Sequence, residues 1–152
     1  MSKPFANFSE CVNLESVICN ENSELKTIEE EAFSNSQMNS LTLPSDVVGF
    51  DKDWRVNLEF LNEINAVQKE NKYICFDGTF LLKKSDIKSD IFDILLFAGR
   101  NLDIAVVPSH IERISSSAFN MCSDLAGIEY NDDSELEVID SAAVAESSIK
   151  SI

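Results

Sequence analysis

The sequence predicts a repeat solenoid, a single domain over residues 1–152 built from stacked coils with one short parallel strand each. Three observations carry that reading. In segment 108–130, PSHIERISSSAFNMCSDLAGIEY, the apolar positions are Ile111, Ile114, Ala118-Phe119, Cys122, Leu125, Ile128 and Tyr130. Their spacing keeps neither a 3.6 nor a 2 period, so the chain changes rhythm within one coil's length. Segment 8–41 also lies without a gap on 119–152: Phe8 meets Phe119, Cys11 meets Cys122, Ser23-Glu24-Leu25 meets Ser134-Glu135-Leu136, and Ala32 meets Ala143. Beneath this long repeat runs a shorter one. Val17 to Leu41 is 24 residues (41−17), Leu41 to Ile64 is 23 (64−41), Ala105 to Ile128 is 23 (128−105), and Ile128 to Ile152 is 24 (152−128). Only the step from Ile64 to Ala105 is longer, by roughly 18 inserted residues.

Periods of 20–29 residues with one short strand each mark leucine-rich repeat solenoids. The phrase Ile-x-x-x-Ala-Phe-x-x-Cys-x-x-Leu-x-x-Ile over 114–128 resembles the BspA-like class of leucine-rich repeat surface proteins. Ile28-Glu29-Glu30-Glu31-Ala32-Phe33, the strand ending Ser40-Leu41-Thr42-Leu43-Pro44, and the openings Pro44-Ser45-Asp46-Val47 and Pro108-Ser109-His110-Ile111 repeat its phrases. The pattern departs at 51–103, and at Ala143-Val144, where Val stands for the usual Phe. The resemblance implies an α/β-type leucine-rich repeat solenoid, right-handed by the general preference of parallel crossovers. Its short parallel strands would line the concave face, with turns or short helices on the convex side and an inserted β-hairpin at about 71–100. It also implies a surface-displayed adhesion or antigen module.

Along the chain, Lys3-Pro4 is a loop, and Asn7-Phe8-Ser9 is a glycosylation sequon beside a phenylalanine expected in the core. Residues 15–19 form the first strand, with Val17 and Cys19 inward and Ser16 and Ile18 outward by alternation. Asn20 to Glu24 is a polar turn; Leu25 and Ile28 return the chain to the core, and Ala32-Phe33 packs the convex side. Residues 40–43 form the second strand, ended by Pro44, which cannot donate to a ladder. Two readings compete over 47–67. As a repeat, Trp54 takes the Ala-Phe place and Ile64 the third strand; as a helix, Trp54, Leu58 and Leu61, then Phe60, Ile64 and Val67, follow i, i+3, i+4 spacing. A short helix over 52–60 fits both. Asp77-Gly78 between two apolar runs reads as a tight hairpin turn. Residues 91–97 are apolar enough for a further strand, and 104–107 rejoin the solenoid. The hairpin either covers the core or protrudes as a recognition element. Neither end of the chain carries a polar cap, and an open strand edge invites pairing, including edge-to-edge self-association.

With 27 acidic and 12 basic residues the net charge is −15. Such a chain has no electrostatic footprint for nucleic acid or anionic membranes, and its charge favours a basic partner. No run of 18 apolar residues is present to span a membrane. Residues 1–10, MSKPFANFSE, lack the apolar stretch of a signal peptide. Family resemblance therefore points to a cell surface for which this chain shows no route; a fragment, non-classical export or a cytoplasmic protein all fit. Cys11, Cys19, Cys75 and Cys122 are expected as buried thiols. Cys11 and Cys122, four coils apart, would lie about 19 Å from each other at the spacing of strands, too far for a disulfide.

No catalytic set emerges, and the expectation is not an enzyme. The chain has four glycines and no phosphate-cradling loop. His110, the lone histidine, lies in a turn and offers neither a triad nor a zinc set. The acids Glu29-Glu30-Glu31, Asp51/Asp53 and Asp132-Asp133 fall in polar turns, without the twelve-residue loop of a calcium site. No cofactor or metal is expected. The remaining site is a surface: outward residues of the strands, above all Ile18, Thr42, Asn65, Ile104, Val106 and Glu129, binding a protein or glycan ligand on a concave sheet. Completion of a longer array, or an intracellular scaffold, is the alternative.

Overall fold

A computed structural model describes residues 8–44, 47–51, 53–66 and 72–151. The chain divides into two compact units, Met1–Asn71 and Lys72–Ile152. In the first, β1 (Ser16–Ile18), β2 (Thr27–Ile28), β3 (Ser40–Leu43), β4 (Gly49–Phe50) and β5 (Glu63–Ala66) build two parallel ladders, β1-β3-β5 and β2-β4. Val17 pairs with Leu41 and Leu41 with Ile64, in the register that the sequence period sets. Leu41, Leu43 and Ile64 point inward and are buried, while the residues between them face out. The repeat reading of 47–67 therefore holds. Trp54 fills the Ala-Phe place at 1% exposure, and Phe60, which a helix would have buried beside Ile64, is 52% exposed. Val67 lies outside the described residues.

The second unit carries β6 (Tyr73–Phe76), β7 (Phe80–Lys83), β8 (Ile94–Ala98), β9 (Ile104–Val107), β10 (Arg113–Ile114), β11 (Gly127–Tyr130) and β12 (Val138–Ile139). β9 and β11 pair in parallel with Ala105 opposite Ile128, and Gly127 bridges to Ser151. Ile152 lies outside the described residues. The hairpin β6–β7 turns at Asp77 (φ 50°) and Gly78 (φ 66°), as Asp-Gly demands. It does not protrude. β7 pairs antiparallel with β8, which joins β10 and β12 in parallel, giving one sheet in the order β12-β10-β8-β7-β6. Phe80 and Leu82 enter the same core cluster as Ile114, Phe119 and Leu125, and the Phe80 ring meets Phe119 edge-on at 6.4 Å. β8 starts at Ile94 rather than 91: the Asp93 carbonyl accepts from Glu112 and Arg113, and Ile91 stays 54% exposed.

Of the turns or short helices expected between the rungs, no helix occurs among the described residues. Each arc is instead a run of turns closed by bonds to the third residue back, such as Ala32 N–H to Glu29 C=O, Trp54 to Asp51 and Ala118 to Ser115. Left-handed residues punctuate each arc four apart: Glu31 and Asn35, Asp53 and Asn57, Ser117 and Met121, Ala142 and Glu146. A positive φ costs an L-residue about 1–2 kcal/mol and ends any α-helix at that point. The expense is offset between coils. Phe8 and Glu10 N–H groups donate to Ala32 and Ser34, and Phe119 and Met121 to Ala143 and Ala145.

Link length varies most on the outward half of each coil. From rung to second ladder, Val17 to Ile28 and Ile128 to Ile139 each take 11 residues (28−17, 139−128), through the turns beginning at Asn20 and Asn131. Leu41 to Phe50 and Ala105 to Ile114 each take 9 (50−41, 114−105), through Pro44 and Pro108. The return link changes the other way by one residue, 13 from Ile28 to Leu41 (41−28) against 14 from Phe50 to Ile64 (64−50), so the ladders keep register while whole coils differ by a single residue.

The cysteines depart from expectation. All four are free, but only Cys122 is buried; Cys19 and Cys75 are half-buried and Cys11 is exposed. Cys122 is enclosed by the preceding turn, with Gly99 C=O and Arg100 Nη1 each 3.6 Å from its sulfur. Cys11, at the same template place, belongs to the first coil, which among the described residues has a neighbour on one side only. Phe8 is half-buried and stacks on Phe33 at 5.8 Å; Asn7 of the sequon lies outside the described residues.

Candidate interaction surface

The outward side of each parallel ladder is a row-and-column array, because facing residues in adjacent strands point the same way. In the first unit Ile18 faces Thr42 and Thr42 faces Asn65, so three of the expected residues form a single row. Ile18 is 77% exposed, and Thr42 and Asn65 are half-buried. Beside them runs Ser16, Ser40 and Glu63, and Asn65 Nδ2 donates to Glu63 Oε1 at 2.7 Å, pinning the polar end. In the second unit Ile104 faces Gly127 and Val106 faces Glu129. Ile104 and Val106 stand two apart on one face, 49% and 53% exposed, and Glu129 is exposed opposite. Each unit thus presents exposed β-branched carbon flanked by polar groups, whereas Leu41, Ala105 and Val107 on the inner side are buried.

Three features carried no legible signal. On the outer arc of the first unit, Asn57 Nδ2 donates to Asn35 Oδ1 at 3.0 Å, and Asn35 Nδ2 to Glu10 Oε1 at 2.7 Å. These are left-handed positions of successive coils, where short amide side chains are favoured; their offsets of 25 (35−10) and 22 (57−35) differ from the rung period, which hid them. In the second unit Arg100 is 3% exposed. Its Nη1 donates to Ala98 and Ala118 carbonyls, both at 3.2 Å, and its guanidinium lies 4.4 Å from the Phe97 ring centre. It thus joins consecutive coils. Asp93, 7% exposed, accepts from the Ser85 amide at 2.7 Å and from the Ser85 hydroxyl. Burial works to raise its carboxyl, but the Ser85 bonds, a bond from its own amide and the charge of His110 carry it below the usual carboxylate range. Ser85 and Asp93 close the loop after the hairpin. No group of three or more metal-ligating side chains occurs among the described residues.

The model of the BspA-type leucine-rich repeat region matches residues 5–95 and 95–152, with six copies. The chain belongs to the BspA-type leucine-rich repeat family. Three solved structures share its fold. A leucine-rich repeat protein from Eubacterium ventriosum superposes with a TM-score of 0.65 at 16% identity, covering 80% of this chain and 31% of that one. A leucine-rich cell surface protein from Faecalibacterium prausnitzii gives 0.61 at 18%, covering 87% and 42%. The pneumococcal vaccine antigen PcpA gives 0.62 at 22%, covering 79% and 32%. This BspA-type chain therefore spans less than half the length of each of these proteins. No curated protein matches it. No helix among its described residues is long and apolar enough to cross a membrane.

Proposed function

We propose that this chain is a non-catalytic interaction module that binds a protein or glycan ligand through the outward faces of its parallel rungs. In this reading the coils wind right-handed, as parallel crossovers prefer, and the rungs line the inner curve of a solenoid. The observation that carries it is the exposed apolar carbon of Ile18, Ile104 and Val106 on faces that otherwise hold serine, threonine, asparagine and glutamate. Apolar groups rimmed by polar ones are what contact surfaces offer. Thr42 and Asn65 extend the row in the first unit, and Glu129 borders Val106 in the second. The net charge of −15 favours a basic ligand and disfavours nucleic acid and anionic membranes. Two structural relatives are named a cell surface protein and a vaccine antigen, which supports display and adhesion as the setting. The test is a pull-down from host extract and a glycan array, each with the chain, Ile18→Asp and Val106→Asp. Loss of the captured ligand in one or both variants supports the reading; capture unchanged in both removes the rung faces as the site.

The length of the related chains favours a second reading, in which this chain is one stretch of a longer array completed through its strand edges. Light scattering decides it: a concentration-dependent rise in mass supports edge pairing, and a stable monomer at millimolar concentration removes it.

A further inference from the structure

The first unit has an opening that takes in Ile18 at the end of its rung face together with the inward residues beside it. Beneath β1 lies a cavity of about 530 Å³, within the 300–1,000 Å³ span of ligand pockets. Its wall is mostly apolar, with Phe8, Val17, Leu25, Ile28 and Leu41 below and Asn20 at the rim. Val17, Leu25 and Phe8 are only half-buried there, whereas Leu41, the next inward residue along the ladder, is 1% exposed. Among the described residues, Leu41 has coils stacked on both sides and Val17 on one.

β1 has β3 on one side and no strand on the other among the described residues. In a parallel ladder alternate residues direct both backbone groups to the same neighbour. Cys19 N–H donates to Thr42 and Glu15 C=O accepts from Asn39, so Glu15, Val17 and Cys19 address β3. Ser16 and Ile18 therefore turn their N–H and C=O groups to the open edge. The local charge is one-sided: residues 8–44 hold seven glutamates and one basic side chain, Lys26. Glu15 and Glu24, both exposed, flank the edge and the rim.

We propose that this edge takes, by strand addition, an extended basic peptide segment of another protein, one of whose apolar side chains fills the cavity beneath β1. Main-chain bonds to Ser16 and Ile18 supply attachment, the cavity selects an apolar side chain, and the glutamates select lysine or arginine on alternate positions. A second copy of this chain is a poor occupant, since it brings the same strong negative charge.

The probe is a fluorescein-labelled heptapeptide alternating lysine and leucine, titrated against the full chain by fluorescence anisotropy. Saturable binding is expected, at least tenfold tighter than for the glutamate–leucine counterpart. Ile18→Pro removes an edge-facing N–H without touching the bonds to β3, and should weaken binding at least tenfold with an unchanged circular dichroism spectrum. Should that variant not fold, the pair Glu15→Lys/Glu24→Lys decides, with the same loss expected. The equal charge change Glu29→Lys/Glu30→Lys, directly after β2 of the other ladder, should leave affinity within twofold. Any of four results overturns the proposal: no binding; binding untouched by Ile18→Pro or by Glu15→Lys/Glu24→Lys; equal losses from both charge pairs; or a tenfold gain on removing residues 1–7, which would assign the cavity to the chain's own leading segment.

Discussion

Phe33 and Phe119 hold the same place in two coils, each between left-handed residues and each wholly buried. Replacing either by Ala should cost about 3–5 kcal/mol in urea unfolding, because the stacked coils leave little room to collapse around the void. A loss under about 1 kcal/mol would show that these rings do not anchor the arcs. Thiols report on burial in another way. Burial pushes Cys75 up to about 12 from its ordinary 9.0, and Cys122, Tyr73 and Tyr130 move the same way. Between pH 9 and 12 the unfolded chain gives up the Cys75 proton while the folded chain keeps it, so stability should fall as pH rises. Urea midpoints at pH 8, 9, 10 and 11 test this; Cys75→Ala should flatten the fall, and a midpoint that rises with pH would contradict it. At this scale the sequence showed which letter of the repeat each residue occupies, and less well how deep it lies. Cys11 and Cys122 share one letter, yet depth comes from what stacks on either side, and only Cys122 is enclosed by the preceding turn.

The rungs are the elements whose register was legible, because one apolar residue per coil must fall opposite its counterpart or leave the core. Val17, Leu41 and Ile64 do so, as do Ala105 and Ile128. For the arcs the sequence left turns and short helices both open, and only turns occur among the described residues. Their buried residues, Trp54 and Leu58 or Ala118 and Cys122, lie four apart, which mimics an amphipathic helix. The left-handed residues that forbid one include Glu31, Met121 and Ala142, which carry no turn signature. The amide column of the first unit stiffens these arcs. Asn35→Ala breaks two side-chain bonds and places a less tolerant residue at φ 56°, so it should cost about 2 kcal/mol; Asn57→Ala, breaking one, should cost about 1. The double variant should fall short of the sum, since both share a bond. Equal and additive costs in thermal denaturation would mean that the column does not act as a unit.

Across the whole molecule, 27 acids stand against 12 bases, and the compact state holds them closer than the unfolded one. Salt screens that repulsion, with a Debye length near 10 Å at 0.1 M against about 30 Å at 0.01 M. The melting temperature should therefore rise between 10 and 300 mM sodium chloride, and a fall would show that attractive pairs such as Arg113–Asp140, 3.6 Å apart, outweigh the repulsion. The candidate site was legible only as far as alternation reaches: which residues face outward followed from the strands, while the cavity beneath β1 needed three dimensions to see. The 9- and 11-residue turns carry a practical consequence. Natural sequence has already lengthened the link at two coils without disturbing either ladder, so the Pro44 and Pro108 turns are ports at which a short epitope tag or a labelled cysteine can be spliced, leaving the stack around it intact.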